Sequence, residues 1–145
     1  MNILVINGPN LNLLGLREPD IYGTQTYEAL TEQIRAHCGA KGIRVEIMQS
    51  NHEGALVDEV QSALGRFDGI VINPAAYTHT SVALLDALKA VGIPAVEVHL
   101  SNPDEREDFR KVSFIRPACI ATVSGRGFKG YLDAMDLLEA WIKEN

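Results

Sequence analysis

Five short apolar runs, each followed by a segment of helical period, restrict what this chain can fold into more than any other feature. The runs are Ile3 to Ile6, Val45 to Met48, Gly69 to Ile72, Ala95 to Val98 and Cys119 to Val123. Most are apolar throughout rather than alternating, the pattern of strands covered on both faces. The segments between them carry apolar stripes. Leu30, Ile34 and Cys38 form the first, with Thr26 as N-cap and Gly39 or Gly42 as stop. Val57, Val60 and Leu64 form the second, opened near Asn51 and closed by Gly65. Val82, Leu85, Leu88 and Val91 form the third, ended by Gly92 and Pro94. The last starts near Phe128 and turns Leu132, Met135, Leu138 and Ile142 inward. Strands alternating with helices imply right-handed crossovers and a parallel sheet. Five of them predict an α/β, flavodoxin-like three-layer fold with a five-stranded parallel sheet in the order 2-1-3-4-5. No repeat or linker divides the 145 residues, so 1–145 is expected to be one domain.

Composition narrows the function classes. No apolar run can span a bilayer, and the N-terminus begins as a strand rather than a secretory signal, which sets the expectation of a cytoplasmic protein. Cys38 and Cys119 lie far apart in apolar segments and read as two buried, reduced thiols. No His, Cys, Asp or Glu cluster has metal-ligand spacing; His52-Glu53 lacks a second histidine one turn on. The net charge of -6 argues against a nucleic-acid partner. An anionic small molecule stays possible, since a few local cations can outweigh the global field.

In open parallel sheets ligands bind beyond the carboxyl ends of the strands. There the sequence puts Asn7 and Asn10 after the first strand, Asn73 to His79 after the third, and Glu97-Val98-His99-Leu100-Ser101-Asn102 at the fourth, with Arg110 beyond. Glu97 and His99 are two apart on a strand and share a face. A carboxylate there would fix the imidazole tautomer and favour its protonated form, as a general acid needs; a structural ion pair fits equally. The segment from Gly8 to Gln25 has no period, and so long a loop suits an active-site lid, at about 16–25, or a solvated insertion. It carries Arg17 and Tyr22. The guanidinium could lower the phenol pKa toward that of a usable base; alternatively Tyr22 packs the loop down. His79 and Asp86, seven apart, could share a face and bind hydroxyls, or could serve as cap and surface charge.

Four blocks then make the chain resemble the type II 3-dehydroquinate dehydratases over nearly its whole length. They are Asn7-Gly8-Pro9-Asn10-Leu11-Asn12-Leu13-Leu14-Gly15 with Arg17-Glu18-Pro19 and Tyr22-Gly23; Gln49-Ser50-Asn51 with Glu53-Gly54; Asn73 to Ser81; and Glu97 to Asn102 with Arg106-Glu107 and Phe109-Arg110. The later Gly125, Gly127 and Gly130-Tyr131 also fit. The resemblance implies a cofactor-free, metal-free elimination of water from 3-dehydroquinate through an enolate. It makes Tyr22 the base, Arg17 its ionising neighbour and His99, oriented by Glu97, the acid. Asn10 would position a water. Asn73 and the backbone of Leu100 and Ser101 would hold the carboxylate, and His79, Asp86 and Arg110 the hydroxyls. It further implies a homododecamer, a tetramer of trimers, with Asp86 offered to a neighbour's site. Leu100 in place of a frequent isoleucine, Lys111-Val112 after Arg110, and Pro103-Asp104-Glu105 depart from the family pattern without touching a catalytic position. A flavin carrier of the same fold would need a Ser/Thr-rich loop where Gly8 to Leu14 stands. A phosphoacceptor domain would need acids where Asn7 and Asn73 stand, and a lysine at Ser124.

Overall fold

The computed structural model describes residues 1–16, 20 and 25–145. Arg17, Tyr22 and most of the expected lid lie outside the described residues. The strands are β1 (Asn2–Asn7), β2 (Arg44–Gln49), β3 (Gly69–Asn73), β4 (Ala95–His99) and β5 (Ala121–Ser124). The helices are α1 (Tyr27–Ala40), α2 (Glu53–Ser62), α3 (Val82–Val91) and α4 (Lys129–Glu144). All strand pairs are parallel and the sheet order is β2-β1-β3-β4-β5, as expected.

Side chains alternate along β1 and so divide the interior into two layers. Ile3 and Val5 pack against Leu30, Ile34 and Cys38 of α1 and against Ala134, Met135 and Leu138 of α4. Leu4 and Ile6 pack against Leu56 and Val60 of α2 and Leu84, Ala87 and Leu88 of α3. Burying a large aliphatic side chain contributes about 1.5–3 kcal/mol, so the central strands anchor both layers.

Some expectations need correction. The fifth strand starts at Ala121 rather than Cys119, because Pro117 sits in a 3-10 turn over Arg116–Ala118 that delays the extended chain. β2 lies at the sheet edge and exposes Arg44 and Glu46, so it is not covered on both faces. The inner stripe of α2 is Leu56, Val60 and then Ala63, while Leu64 falls past the helix end and is exposed. In α3 the inward residues are Leu84, Ala87 and Leu88; Val82 is exposed and Leu85 only half-buried. In both helices a small alanine on the inner face was passed over for a larger residue on the flank. Tyr131 and Ala134, not Leu132, lead the buried face of α4. Cys119 is half-buried where full burial was expected. His37 joins α1 to α4 through Asp136 at 2.6 Å. Thr26 caps α1 by accepting from the Ala29 amide, as expected, and Gly92 ends α3 with a left-handed φ of 66°.

At the carboxyl edge the exits of β1 and β3 touch. The Gly8 amide donates to the Asn73 carbonyl at 2.8 Å, and a Cβ on Gly8 would stand 2.4 Å from the carbonyl oxygen of Pro74. Gly39, exposed in the last turn of α1, has nothing within 4 Å of such an atom. Opposite signs follow. Gly8→Ala is expected to destabilise by about 1–3 kcal/mol through backbone displacement. Gly39→Ala should stabilise by up to about 1 kcal/mol, by lowering the entropy of the unfolded chain. Urea midpoints of the two variants against the parent measure both.

Candidate active site

β1, β3 and β4 end on polar residues because their last positions leave the apolar layers. Asn7 and Asn73 pair in register across β1 and β3. Both are buried, so each amide needs partners. Tyr131, reaching in from α4, serves both. Its hydroxyl donates to Asn7 Oδ1 at 2.7 Å and accepts from Asn73 Nδ2 at 2.9 Å. Burial, tempered by the Asn73 bond, pushes the Tyr131 phenol far up, so it remains a donor at every working pH.

Glu97 and His99 do share a face of β4. The imidazole Nε2–H donates to Glu97 Oε2 at 2.5 Å, which leaves Nδ1 for the pocket that His99 lines. Glu97 is fully buried. Its carboxylate also accepts from Ser113 Oγ at 2.8 Å, Thr122 Oγ1 at 3.2 Å and Arg116 Nε at 3.5 Å. Burial by itself raises this carboxyl, but the His99 and Ser113 hydrogen bonds and the charges of His99 and Arg116 outweigh it. The group settles below its ordinary value and is ionised.

His79 closes a 3-10 turn over Ala75–His79, and its Nδ1–H donates to the Val112 carbonyl at 2.7 Å. Burial lowers its pKa, and the neighbouring His99 and Arg110 add to that against the Val112 bond. The ring is therefore neutral near pH 7, with Nε2 as an acceptor toward the pocket. Arg110 Nε donates to Glu107 at 2.6 Å and faces the same space as Arg106. Asn10 stands there with a left-handed φ of 71°, its amide donating to Asn51 Oδ1 at 3.0 Å. Ala75 adopts φ 52°, and its amide donates to Asn73 Oδ1 at 3.1 Å. Two non-glycine residues held in that region mark a wall fixed by its surroundings.

Of the expected residues, Asn10, Asn73, His79, His99, Leu100, Ser101 and Arg110 line one pocket, and Glu97 stands behind His99. Asp86 does not join them. It lies exposed on α3, and the turn ending at His79 is separate from that helix, so the seven-residue spacing spans no continuous helical face. Arg17 and Tyr22 lie outside the described residues. Ser113, Arg116 and Thr122 were missed. A glutamate inside an apolar strand was the available signal that donors must surround it, and Thr122 stands opposite Glu97 in register. Pro103, from the unusual Pro103-Asp104-Glu105 stretch, forms part of the pocket rim, and Val112 supplies the carbonyl that orients His79. Burial pushes the thiols of Cys38 and Cys119 up to about 11 and about 12, which makes them poor nucleophiles. Among the described residues no cluster of His, Cys, Asp and Glu could hold a metal ion, and no helix is long and apolar enough to cross a membrane.

Known proteins give the arrangement a context. The model of the family described as dehydroquinase class II matches residues 1–139. The chain is 52% identical to a 3-dehydroquinate dehydratase of Clostridium acetobutylicum over 144 residues, 99% of this chain and 100% of that protein. It is 58% identical to one of Acaryochloris marina over 130 residues, 90% and 87% of the two. The crystal structure of a type II dehydroquinase from Butyrivibrio crossotus superposes with a TM-score of 0.95 at 54% identity, covering 96% of this chain and 97% of that one.

The buried carboxylate makes stability depend on pH. A carboxyl whose folded pKa lies below its unfolded one stabilises above the unfolded value and loses that contribution as pH falls through the folded value. Glu97→Gln keeps the shape but puts an amide among four donors, and is expected to cost about 3 kcal/mol at pH 7. Below the ordinary 4.5 the unfolded parent takes up a proton at Glu97 before the folded one does, so the gap should narrow with falling pH. Urea unfolding of both proteins at neutral pH and at about pH 3.5 measures it. An equal gap at both would mean that folding does not shift the Glu97 carboxyl, and a gap that widens at low pH would mean that it is neutral in the folded protein.

Proposed function

The chain belongs to the dehydroquinase class II family, and on that premise we propose that it is a hydro-lyase converting 3-dehydroquinate to 3-dehydroshikimate by anti elimination. The observation that carries this reading is the imidazole of His99, held at Nε2 by an ionised, buried Glu97 and offering its other nitrogen to the pocket. A proton on Nδ1 can pass to a departing hydroxyl, and the carboxylate compensates the positive charge that the ring carries until it does.

The elimination runs in two proton transfers. Tyr22, as phenolate, removes the proton beside the ketone, and the electron pair moves onto the carbonyl oxygen as an enolate. Arg17 keeps the phenol ionised and stabilises the transition state. The enolate then re-forms the carbonyl, a carbon–carbon double bond forms, and the carbon–oxygen bond of the hydroxyl breaks. That oxygen takes the proton of His99 and leaves as water from the face opposite the base. Asn10 positions a water near the enolate oxygen. Support for Tyr22 and Arg17 is the motif block that carries them, together with the wall formed by Asn10, Leu11, Leu13 and Leu14, which leads into that segment. The stretch of about 16–25 acts as a lid; protection of bonds between Gly15 and Gly23 from protease by a substrate analogue tests this, and equal cutting with and without it counts against a lid.

Binding follows from charge and donor type. Despite the net charge of -6, the pocket gathers Arg106, Arg110 and His99. The Asn73 amide and the backbone of Leu100 and Ser101 hold the substrate carboxylate. The neutral His79 accepts from a ring hydroxyl, and Arg110 donates to another. Asp86, exposed on α3 beside the exposed Val82, serves the site of a neighbouring subunit in a dodecamer, a tetramer of trimers. Light scattering should give a mass several times 15.9 kDa, and a monomer at micromolar concentration would remove that role. The elimination is redox-neutral overall, and the two free thiols suit a cytoplasmic setting. The step serves the shikimate pathway to aromatic amino acids or the breakdown of quinate.

Ultraviolet absorbance of the enone product on adding 3-dehydroquinate tests the activity itself. Tyr22→Phe should fold and bind but lose turnover by about 10²–10⁴-fold, the usual contribution of a general base. Solvent exchange of the proton beside the ketone separates the two groups: slow in Tyr22→Phe, but persisting beyond product formation in His99→Ala. Arg17→Ala should move the basic limb of the pH profile upward, because a phenol without its cation ionises at higher pH. Mass spectrometry of recovered substrate after incubation in deuterium oxide reads the exchange. Normal turnover in Tyr22→Phe would exclude this tyrosine as the base.

A further inference from the structure

Tyr131 lies 58 residues from Asn73 in sequence and 124 from Asn7, yet it sits between their side chains. The polarity of this chain of bonds has one solution. The Ala75 backbone amide can only donate, so the Asn73 side-chain atom facing it is the oxygen. The nitrogen of Asn73 then faces Tyr131 and donates to its hydroxyl. The hydroxyl's own proton must go to the oxygen of Asn7, and the nitrogen of Asn7 donates on to the Tyr27 hydroxyl at 3.3 Å. Asn73 Nδ2 carries two protons and Tyr131 takes one. The other remains on the side chain that lines the pocket.

The two holds on Asn73 differ in kind. Ala75 is itself in the left-handed region at φ 52°, so it belongs to a strained turn. Tyr131 is wholly buried on a 16-residue helix packed against the sheet, with both ring and hydroxyl confined. One bond to a turn lets a carboxamide rock about its last torsion; a second bond to a rigid element stops it.

From this we infer that Tyr131 is a positioning residue for substrate binding: it locks the Asn73 carboxamide so that the pocket meets an N–H donor rather than an oxygen. The inference rests on the reading of Asn73 as a partner of the substrate carboxylate. An anionic group is attracted by the donor and repelled by the acceptor, so the same amide turned over would weaken binding. Tyr131 acts only through Asn73 and touches no reacting atom. Its effect falls on binding that is equal in ground and transition states, hence on KM rather than kcat.

The test is a kinetic cycle on the assembled enzyme with 3-dehydroquinate. Tyr131→Phe keeps the ring in its packing and removes only the oxygen; KM should rise about 3–10-fold with kcat within about twofold. Asn73→Ala should raise KM by about 10–100-fold, as for loss of a hydrogen bond to a charged group. The double variant should match Asn73→Ala alone, because a positioning residue has nothing left to position. Losses that multiply in the double variant, or an unchanged KM in a folded Tyr131→Phe, overturn the inference. An unchanged KM in Asn73→Ala removes the carboxylate reading of Asn73, a separate failure. If Tyr131→Phe does not fold, Asn73→Asp decides: it presents only oxygen, and its KM should exceed that of Asn73→Ala. A KM at or below that of Asn73→Ala means that donor orientation is irrelevant, and the inference falls.

Discussion

A carboxylate with no exposed surface, set in the middle of a parallel sheet, organises the carboxyl edge of this protein. Removing such a charge from water costs several kcal/mol, which is recovered only when nearly every lone pair is met. Glu97 meets that demand from four directions: His99 on its own strand, Thr122 on β5, and Ser113 and Arg116 from the long connection between β4 and β5. That connection has few buried apolar residues of its own, Ile115 being the fully buried one. Glu97 thus does two things at once. It draws a polar loop onto the sheet, and it holds one ring nitrogen of His99 so that the other is offered to the pocket.

A second polar network, the Tyr27–Asn7–Tyr131–Asn73 series, runs across the ends of β1 and β3. The two share no member. One sets the direction of the His99 ring and the other that of the Asn73 amide, both at the pocket wall. Both rest on elements whose apolar faces pack into the interior, so the orientation of each polar group inherits the rigidity of the core. The chain has a net charge of -6, yet the pocket wall carries Arg106 and Arg110. His99 and the Asn73 amide are directed by the buried Glu97 and Tyr131, whereas Arg110 is held by the exposed Glu107.

Much of this was legible in the linear sequence. Continuous apolar runs meant strands covered on both faces, and four of the five had core positions that the structure keeps; the edge strand β2, with Arg44 and Glu46 exposed, was the exception. The helix stripes were right in period and partly wrong in phase. Leu64 and Val82 look like core residues by type, but the burying face of a helix is chosen by the surface it meets, and Ala63 and Ala87 met it instead. The pocket-lining polar residues were readable because parallel strands deliver whatever follows their last residue to one edge.

By itself, the sequence determined the strand order, the family resemblance and the types of side chain collected at that edge, because periodicity and chain direction are local properties that survive unfolding. Only the tertiary structure decided which way those side chains point. Tyr131 stood out only as part of the family pattern, and nothing in the linear sequence singled out Ser113, Arg116 or Thr122. Their importance lies in bonds to groups far away in sequence, up to 124 residues for Tyr131 and Asn7. A hydrogen bond needs its partner within about 3 Å and in line, a condition that no spacing along the chain encodes and that only packing supplies.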